Sequence, residues 1–508
     1  MTKTGTGSDA RNSNDEKRSF SFLIALLLVL SVFSSCADSR EDEEPSETAS
    51  TAAPTEPEPE ETQPEEETVP APELPAGLDF GGAGFTFGVV DNPNMKSGLI
   101  VEELNGEVLN DALFTTVAES DNALNVKIGE YVMTNGYPAA SSITPLIQAG
   151  DDVIQVANVF CVDAPTLMSK GYTVDYNSLP YLDPEKPYWD GKVNDALVLA
   201  DVRYAMIGDL SITTHDLTYI LLFSSDLVEK NGLERPYSLV FEGKWTMDRM
   251  KEMMETVLSD ANGNGKRDAE DVFGYLGHAK MVLPSFWVGA GEKCMELGED
   301  GVPALTITDE RFLSVFEKIF SMTYDNGAWF RVAEDVDVPT ECTRMFAENH
   351  ALFLDCSFFY VAALREMETD FGIIPYPKYD EEQKDYCALV SYFMPPIIPI
   401  TNQNAEMTGA VLEEANYRAK LHLTPAYYDI TLKGKYSRDP ESIAMLDLIF
   451  ANRVVDLGDS LFCVNVRDGF VFSMSSSDSR DLVSTVKKNE KIVNKTARKM
   501  IDELRNGD

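Results

Sequence analysis

Past residue 84 the chain alternates short apolar runs with longer amphipathic ones. Residues 85–90, 124–128 and 152–160 are rich in Phe, Val and Ile, while 105–123 and 142–149 carry helical periodicity between them. A strand–helix–strand–helix–strand series predicts a parallel sheet with helical crossovers. The unbroken apolar run 218–223 predicts a buried strand, and Thr246 stands as N-cap of a helix running to Val257. Further along, the pattern predicts a helix over 310–324, strands over 351–356 and 371–375, and helices over 406–419, 440–450 and 481–503. Residues 392–400 are apolar but hold three prolines, which fits a sheet edge or a crossover better than a central strand. No internal repeat breaks the series.

Before this body lie two stretches of different character. The apolar run 20–33 follows Lys17 and Arg18 and ends in Ser34, Ser35 and Cys36. Basic residues, a short apolar core and small residues describe an export signal, too short to span a bilayer stably. A cysteine just after the small residues resembles a bacterial lipoprotein signal, so Cys36 is expected to carry acyl chains and 1–36 to be the signal peptide. Plain secretion with Cys36 incidental is the competing reading. Residues 37–83 open on a tract of Glu, Pro, Ser and Thr. Such a tract buries too little apolar surface to offset its ordering entropy, and it is expected to act as a tether.

Composition narrows the function. Of 508 residues 44% are hydrophobic, as in a globular protein, and the body is long enough for two large lobes. A net charge of −43 argues against nucleic acid as a partner. The seven cysteines form no Cys-x-x-Cys pair and the four histidines no HExxH spacing, so a zinc site is not expected. Neither a glycine-rich dinucleotide fingerprint nor a nucleophile motif is present, so no organic cofactor and no catalysis are expected.

One loop carries metal-like spacing. Asp260, Asn262, Asn264, Lys266, Asp268 and Asp271 occupy positions 1, 3, 5, 7, 9 and 12 of an EF-hand-type loop, with Gly265 at position 6. Lys266 would contribute its backbone carbonyl. Asp271 stands where a bidentate Glu is usual, so a single structural calcium ion would be held weakly. The alternative is an Asn/Gly turn whose carboxylates only face water. Aromatic residues in Pro-, Gly- and Asp-rich contexts supply a second kind of chemistry. Flat rings flanked by carboxylates suit the apolar faces and hydroxyl rims of sugars. Tyr188, Trp189, Asp209, Trp287, Tyr392 and Tyr427 are the candidate ligand residues on this ground, against the alternative of core or hinge packing.

Several stretches taken together carry a resemblance. LPYLDPEKPYWD (179–190), YAMIGDLS (204–211) and LLFSSDLVEKNGLERPYSLVFEGKWTMDRM (221–250) are followed by DANGNGKRDAEDVFGYLG (260–277), DFGIIPYPKYDEEQKDY (370–386) and YYDITLKGKYSRDPESIAMLDLIF (427–450). In this order they resemble the extracellular solute-binding protein family 1, the maltose-binding-protein-like receptors of carbohydrate ABC importers. The resemblance implies an α/β, two-lobed, periplasmic-binding-protein-like (type II) fold with an interlobe ligand cleft. It implies lobe one over 84–205 and 391–430 and lobe two over 206–390 and 431–508. It also implies a monomer at the extracytoplasmic face of the cell membrane that binds a small carbohydrate and delivers it to permease subunits. Family members often read Phe-Asn-Lys at Phe223-Ser224-Ser225 and Pro-Trp-Trp at Pro187-Tyr188-Trp189; the second difference leaves the size and identity of the sugar open. A surface carbohydrate-binding or adhesion lipoprotein and a glycan-processing enzyme are the alternative readings.

Overall fold

A computed structural model describes residues 69–90, 98–133, 139–333, 336–364, 367, 370–433 and 440–506, all within the unit Glu67–Asp508. The export signal, Cys36 and the acidic tract up to residue 68 lie outside the described residues. Among the described residues no helix is long and apolar enough to cross a membrane.

The first sheet is built from β1 (Ala83–Val90), β2 (Val126–Met133) and β3 (Val156–Asn158). β1 pairs parallel with both neighbours, with Phe85 opposite Ile128 and Phe87 opposite Val156. The crossovers run through α1 (Val108–Leu124) and α2 (Ala140–Ala149). Helix α1 ends on Asn125, whose φ of 48° places it in the left-handed region that Asn tolerates.

The second sheet is mixed. Its strands are β4 (Tyr219–Ser224), β5 (Phe273–Leu276), β6 (Trp329–Phe330), β7 (Ala351–Ser357) and β8 (Phe371–Ile374), in the spatial order β6-β5-β7-β4-β8. β5 and β7 pair parallel, while β4 lies antiparallel to both β7 and β8. Every residue of β5, β7 and β8 is buried, as expected of strands covered on both faces. The covering helices include α3 (Met247–Val257), α4 (Ala279–Gly289), α5 (Glu310–Thr323) and α6 (Val338–Ala347). Thr246 does cap α3, its side chain accepting from the Arg249 N–H at 3.4 Å.

The chain then returns to the first sheet. Pro396–Ile397 forms β9, antiparallel to β3. The proline-rich run thus supplies an edge, where a missing N–H costs least. Helix α7 (Ala405–Lys433) packs along α1, α8 (Pro440–Ala451) packs against β8, and α9 (Leu482–Asn506) packs against the short strand Pro303–Leu305.

Two helices depart from the sequence expectation. Helix α4 is not among the predicted helices, because Pro284 interrupts it and it is apolar all round. All but one of its residues are buried, so the amphipathic signal of a surface helix is missing. Helix α7 runs past the expected end at residue 419 and through Pro425. Its last turns are held by tertiary contacts: the Tyr427 hydroxyl donates to Asp216 at 2.8 Å, and the Tyr428 ring stacks on Phe450.

Candidate functional site

In sheets with parallel strands, ligands gather beyond the carboxyl ends, where loops are free to vary. The two sheets are joined by the segment 211–219 and by 389–392. These meet where Thr218 bridges Val390 and the Ser391 N–H bonds the Leu217 carbonyl at 3.2 Å. A cavity opens on each side of this junction.

On the second-sheet side the cavity measures about 330 Å³. β7 ends at Ser357 and hands the chain to Phe359 and Tyr360, half-buried rings set edge to face with centroids 5.2 Å apart. Tyr219 enters from β4, and His278 and Lys280 from the start of α4. Tyr392 closes the wall from the joining segment. Its φ of 58° is unusual for a bulky residue, so its surroundings must hold it. The Arg467 guanidinium lies 3.9 Å from its ring centroid, and the Lys280 ammonium 5.4 Å away. Arg467 is itself fixed, donating to Ser391 at 3.0 Å and to Asp459 at 3.2 Å. Burial raises the Asp459 carboxyl to about 6 against the opposing pull of Arg467. Lys280 is spent on Asp468 at 2.8 Å. Deeper in the wall, Asp355 accepts from the Tyr275 hydroxyl at 2.9 Å and from that of Tyr376. Burial lifts its carboxyl to about 7, with both hydroxyls opposing.

On the first-sheet side a cavity of about 310 Å³ is lined by Asn110, Asn158, Ser211, Thr213 and Asp216 over an apolar base of Leu99 and Leu113. Burial raises Asp216 to about 6, with the bond from Tyr427 opposing. One wall is therefore rich in half-open rings and the other in amides, hydroxyls and a carboxylate. The first can stack a flat apolar face, and the second can hydrogen-bond hydroxyl groups.

The sequence-predicted residues divide between this junction and elsewhere. Tyr392 lines the first cavity, and Tyr427 stands behind Asp216 of the second. Tyr188 and Trp189 are buried. In the core cluster beside the first sheet, the Tyr188 hydroxyl donates to Glu413 at 2.6 Å and the Trp189 indole donates to the same carboxylate at 3.0 Å. Gly208 makes this possible, because a Cβ there would sit 2.2 Å from Asn416 and 2.8 Å from the Trp189 ring. Trp189 and Asp209 also line a third cavity. Trp287 is 1% exposed, packs on Phe312 and donates to Asp456 at 3.1 Å, so no ring face is left for a ligand. Phe359, Tyr360, Lys280, Asn158 and Asp216 were not singled out from sequence. The available signal was an aromatic pair directly after an apolar strand.

The loop 260–271 folds on itself. Asp260 accepts from the N–H groups of Asn264 and Gly265 at 3.2 and 2.8 Å. The side-chain amides of Asn262 and Asn264 donate to Asp268, and Asp271 turns inward to the Ala261 and Asp268 N–H groups. Lys266 donates its N–H to the Asn264 side chain. Among the described residues no group of three or more His, Cys, Asp or Glu is placed to hold a metal ion.

No protein-family model matches the chain, and no curated protein matches it. Solved structures do. The sugar-binding protein MalE of Xanthomonas citri superposes with a TM-score of 0.58 at 13% identity, covering 84% of this chain and 100% of its own. UspC of M. tuberculosis gives 0.56 at 12%, covering 81% and 100%. The ABC substrate-binding protein Lmo0181 of Listeria monocytogenes, solved in complex with cycloalternan, gives 0.53 at 13%, covering 82% and 99%. The chain has the two-lobed, type II periplasmic-binding-protein-like fold. Within this fold the segments 211–219 and 389–392 connect the two sheets, and the first two cavities are lined in part by the first of these segments.

Proposed function

We propose that the protein is an extracytoplasmic solute-binding receptor that closes its lobes on a sugar or oligosaccharide and delivers it to the permease of an ABC importer. The observation that carries this reading is the pair of unlike cavities beside the segments connecting the two sheets, half-open rings in one and amides and carboxylate in the other. The sugar-binding protein and the cycloalternan complex among the superposable structures support the same class of ligand. Binding does no chemistry: a ligand that prefers the closed lobes shifts the open–closed balance by its difference in affinity. Acyl chains on Cys36 hold the body at the membrane as a monomer, with the acidic tract as spacer.

A thermal-shift screen of sugars, peptides and polyamines tests the reading. A ligand at a hundredfold its Kd adds about 2.7 kcal/mol of stability. Saturable stabilisation by a sugar, with the sugar recovered unchanged, is expected. Stabilisation by peptides or polyamines alone contradicts the reading, and conversion of the sugar favours a glycan-processing enzyme. The oxygen-rich loop 260–271 is read as a weak structural calcium loop, supported by its donor spacing. Calcium near 10⁻³ M, the affinity range of about 10⁻⁴–10⁻³ M for extracellular modules, then raises Tm where magnesium does not. An unchanged Tm reduces the loop to a turn.

A further inference from the structure

We propose that the third cavity is a second small-molecule site, distinct from the first two cavities, which takes a carboxylate-bearing compound on the guanidinium of Arg453. This cavity measures about 540 Å³. Residues along one segment go to different spaces: Gly208, Asp209 and His215 line this cavity, while Ser211, Thr213 and Asp216 line the polar cavity of the junction. The remaining walls come from Trp189–Lys192, from Lys420–Tyr428 of α7, and from the end of α8 through Arg453.

Arg453 is 7% exposed. Its Nη2 meets Asp190 at 2.6 Å, and its guanidinium lies 5.3 Å from the Phe450 ring centroid. Its Nε and Nη1 are buried and have no hydrogen-bond partner among the described residues. A guanidinium presents its donors as a planar fork that matches a carboxylate, and buried donors are rarely left unmade. The rest of the lining sets the charge of the ligand. Lys420 lies 3.3 Å from Asp209, and Lys192 donates to Asn452 at 2.9 Å. His215 is 4.0 Å from Asp209, and burial, with Arg453 nearby, lowers its imidazole to about 3, so it is neutral. Asp447 adds a third carboxylate to balance the three cations. With charge already balanced and donors in surplus, the cavity favours a monoanion or a zwitterion over a polyanion. Trp189, Tyr428 and Phe450 supply apolar wall for a short hydrocarbon part.

Sodium propionate and L-alanine share the carboxylate, and one lacks the ammonium. Each is titrated into the full chain at constant ionic strength, without sugar, with Tm as readout. A saturable rise with either supports the site, and the tighter of the two tells a simple acid from an amino acid. Arg453→Lys keeps the charge but removes the fork, and it should weaken the response about tenfold or more. Ala451→Trp, at an exposed wall position, should abolish it by filling the space, and it keeps the test open if the first variant fails to fold. No saturable rise up to about a thousandfold the protein concentration, as for a cavity holding water only, overturns the proposal. So does a rise that survives in Ala451→Trp.

Discussion

Two aromatic clusters of this molecule look alike in sequence and differ in structure. Tyr188 and Trp189 stand beside Asp190 after a proline; Phe359 and Tyr360 follow a strand with Asp355 four residues before Phe359. The first pair is covered, with both polar atoms taken by Glu413, which arrives from α7 more than two hundred residues later. The second pair keeps half-open faces over a cavity. The difference lies in what the rest of the chain brings to the rings. A buried carboxylate that satisfies two aromatic donors turns a platform into a brace, and without such a partner the faces stay free for a ligand.

This contrast can be broken at the brace first. Glu413→Ala leaves two buried donors unmade and should cost about 3 kcal/mol of stability by denaturant unfolding, with sugar affinity in the surviving folded protein unchanged. Trp287→Phe, which removes the donor to Asp456, should cost about 1–2 kcal/mol by the same measurement, again without a change in sugar affinity. On the platform the pattern inverts. Phe359→Ala combined with Tyr360→Ala should weaken sugar binding about tenfold, or about 1.4 kcal/mol, by calorimetry. Its unfolding free energy should stay within about 1 kcal/mol of wild type.

The same comparison can be sharpened by pH. Asp355 holds its proton up to about 7 when folded, against an ordinary 3.8. Its contribution is therefore full below pH 3.8 and is lost as pH rises through about 7. Asp355→Asn should flatten that part of the stability profile. His215 runs the other way: its folded value of about 3, against 6.5, gives a contribution present above pH 6.5 and lost as pH falls toward 3. A His215→Gln variant should lose the acid-side slope alone.

Much of the architecture was legible because periodicity is local. The alternation over 85–160 announced a parallel sheet, and the prolines of 392–400 announced an edge, as β9 became. Helix α4 was hidden because a helix buried all round has no polar face to report it. The site was less legible for a related reason. Tyr392 could be found by its proline-rich neighbourhood, but whether a ring packs or projects depends on partners far along the chain. Glu413 for Tyr188 and Asp456 for Trp287 are such partners, and nothing near either ring foretells them.

Closure of two lobes on a sugar changes the dimensions of the molecule, which small-angle scattering reads with and without a saturating sugar from the screen. A smaller radius of gyration is expected in the bound protein, reversed when the sugar is dialysed away unchanged. An identical radius of gyration at full saturation rules out closure on the sugar.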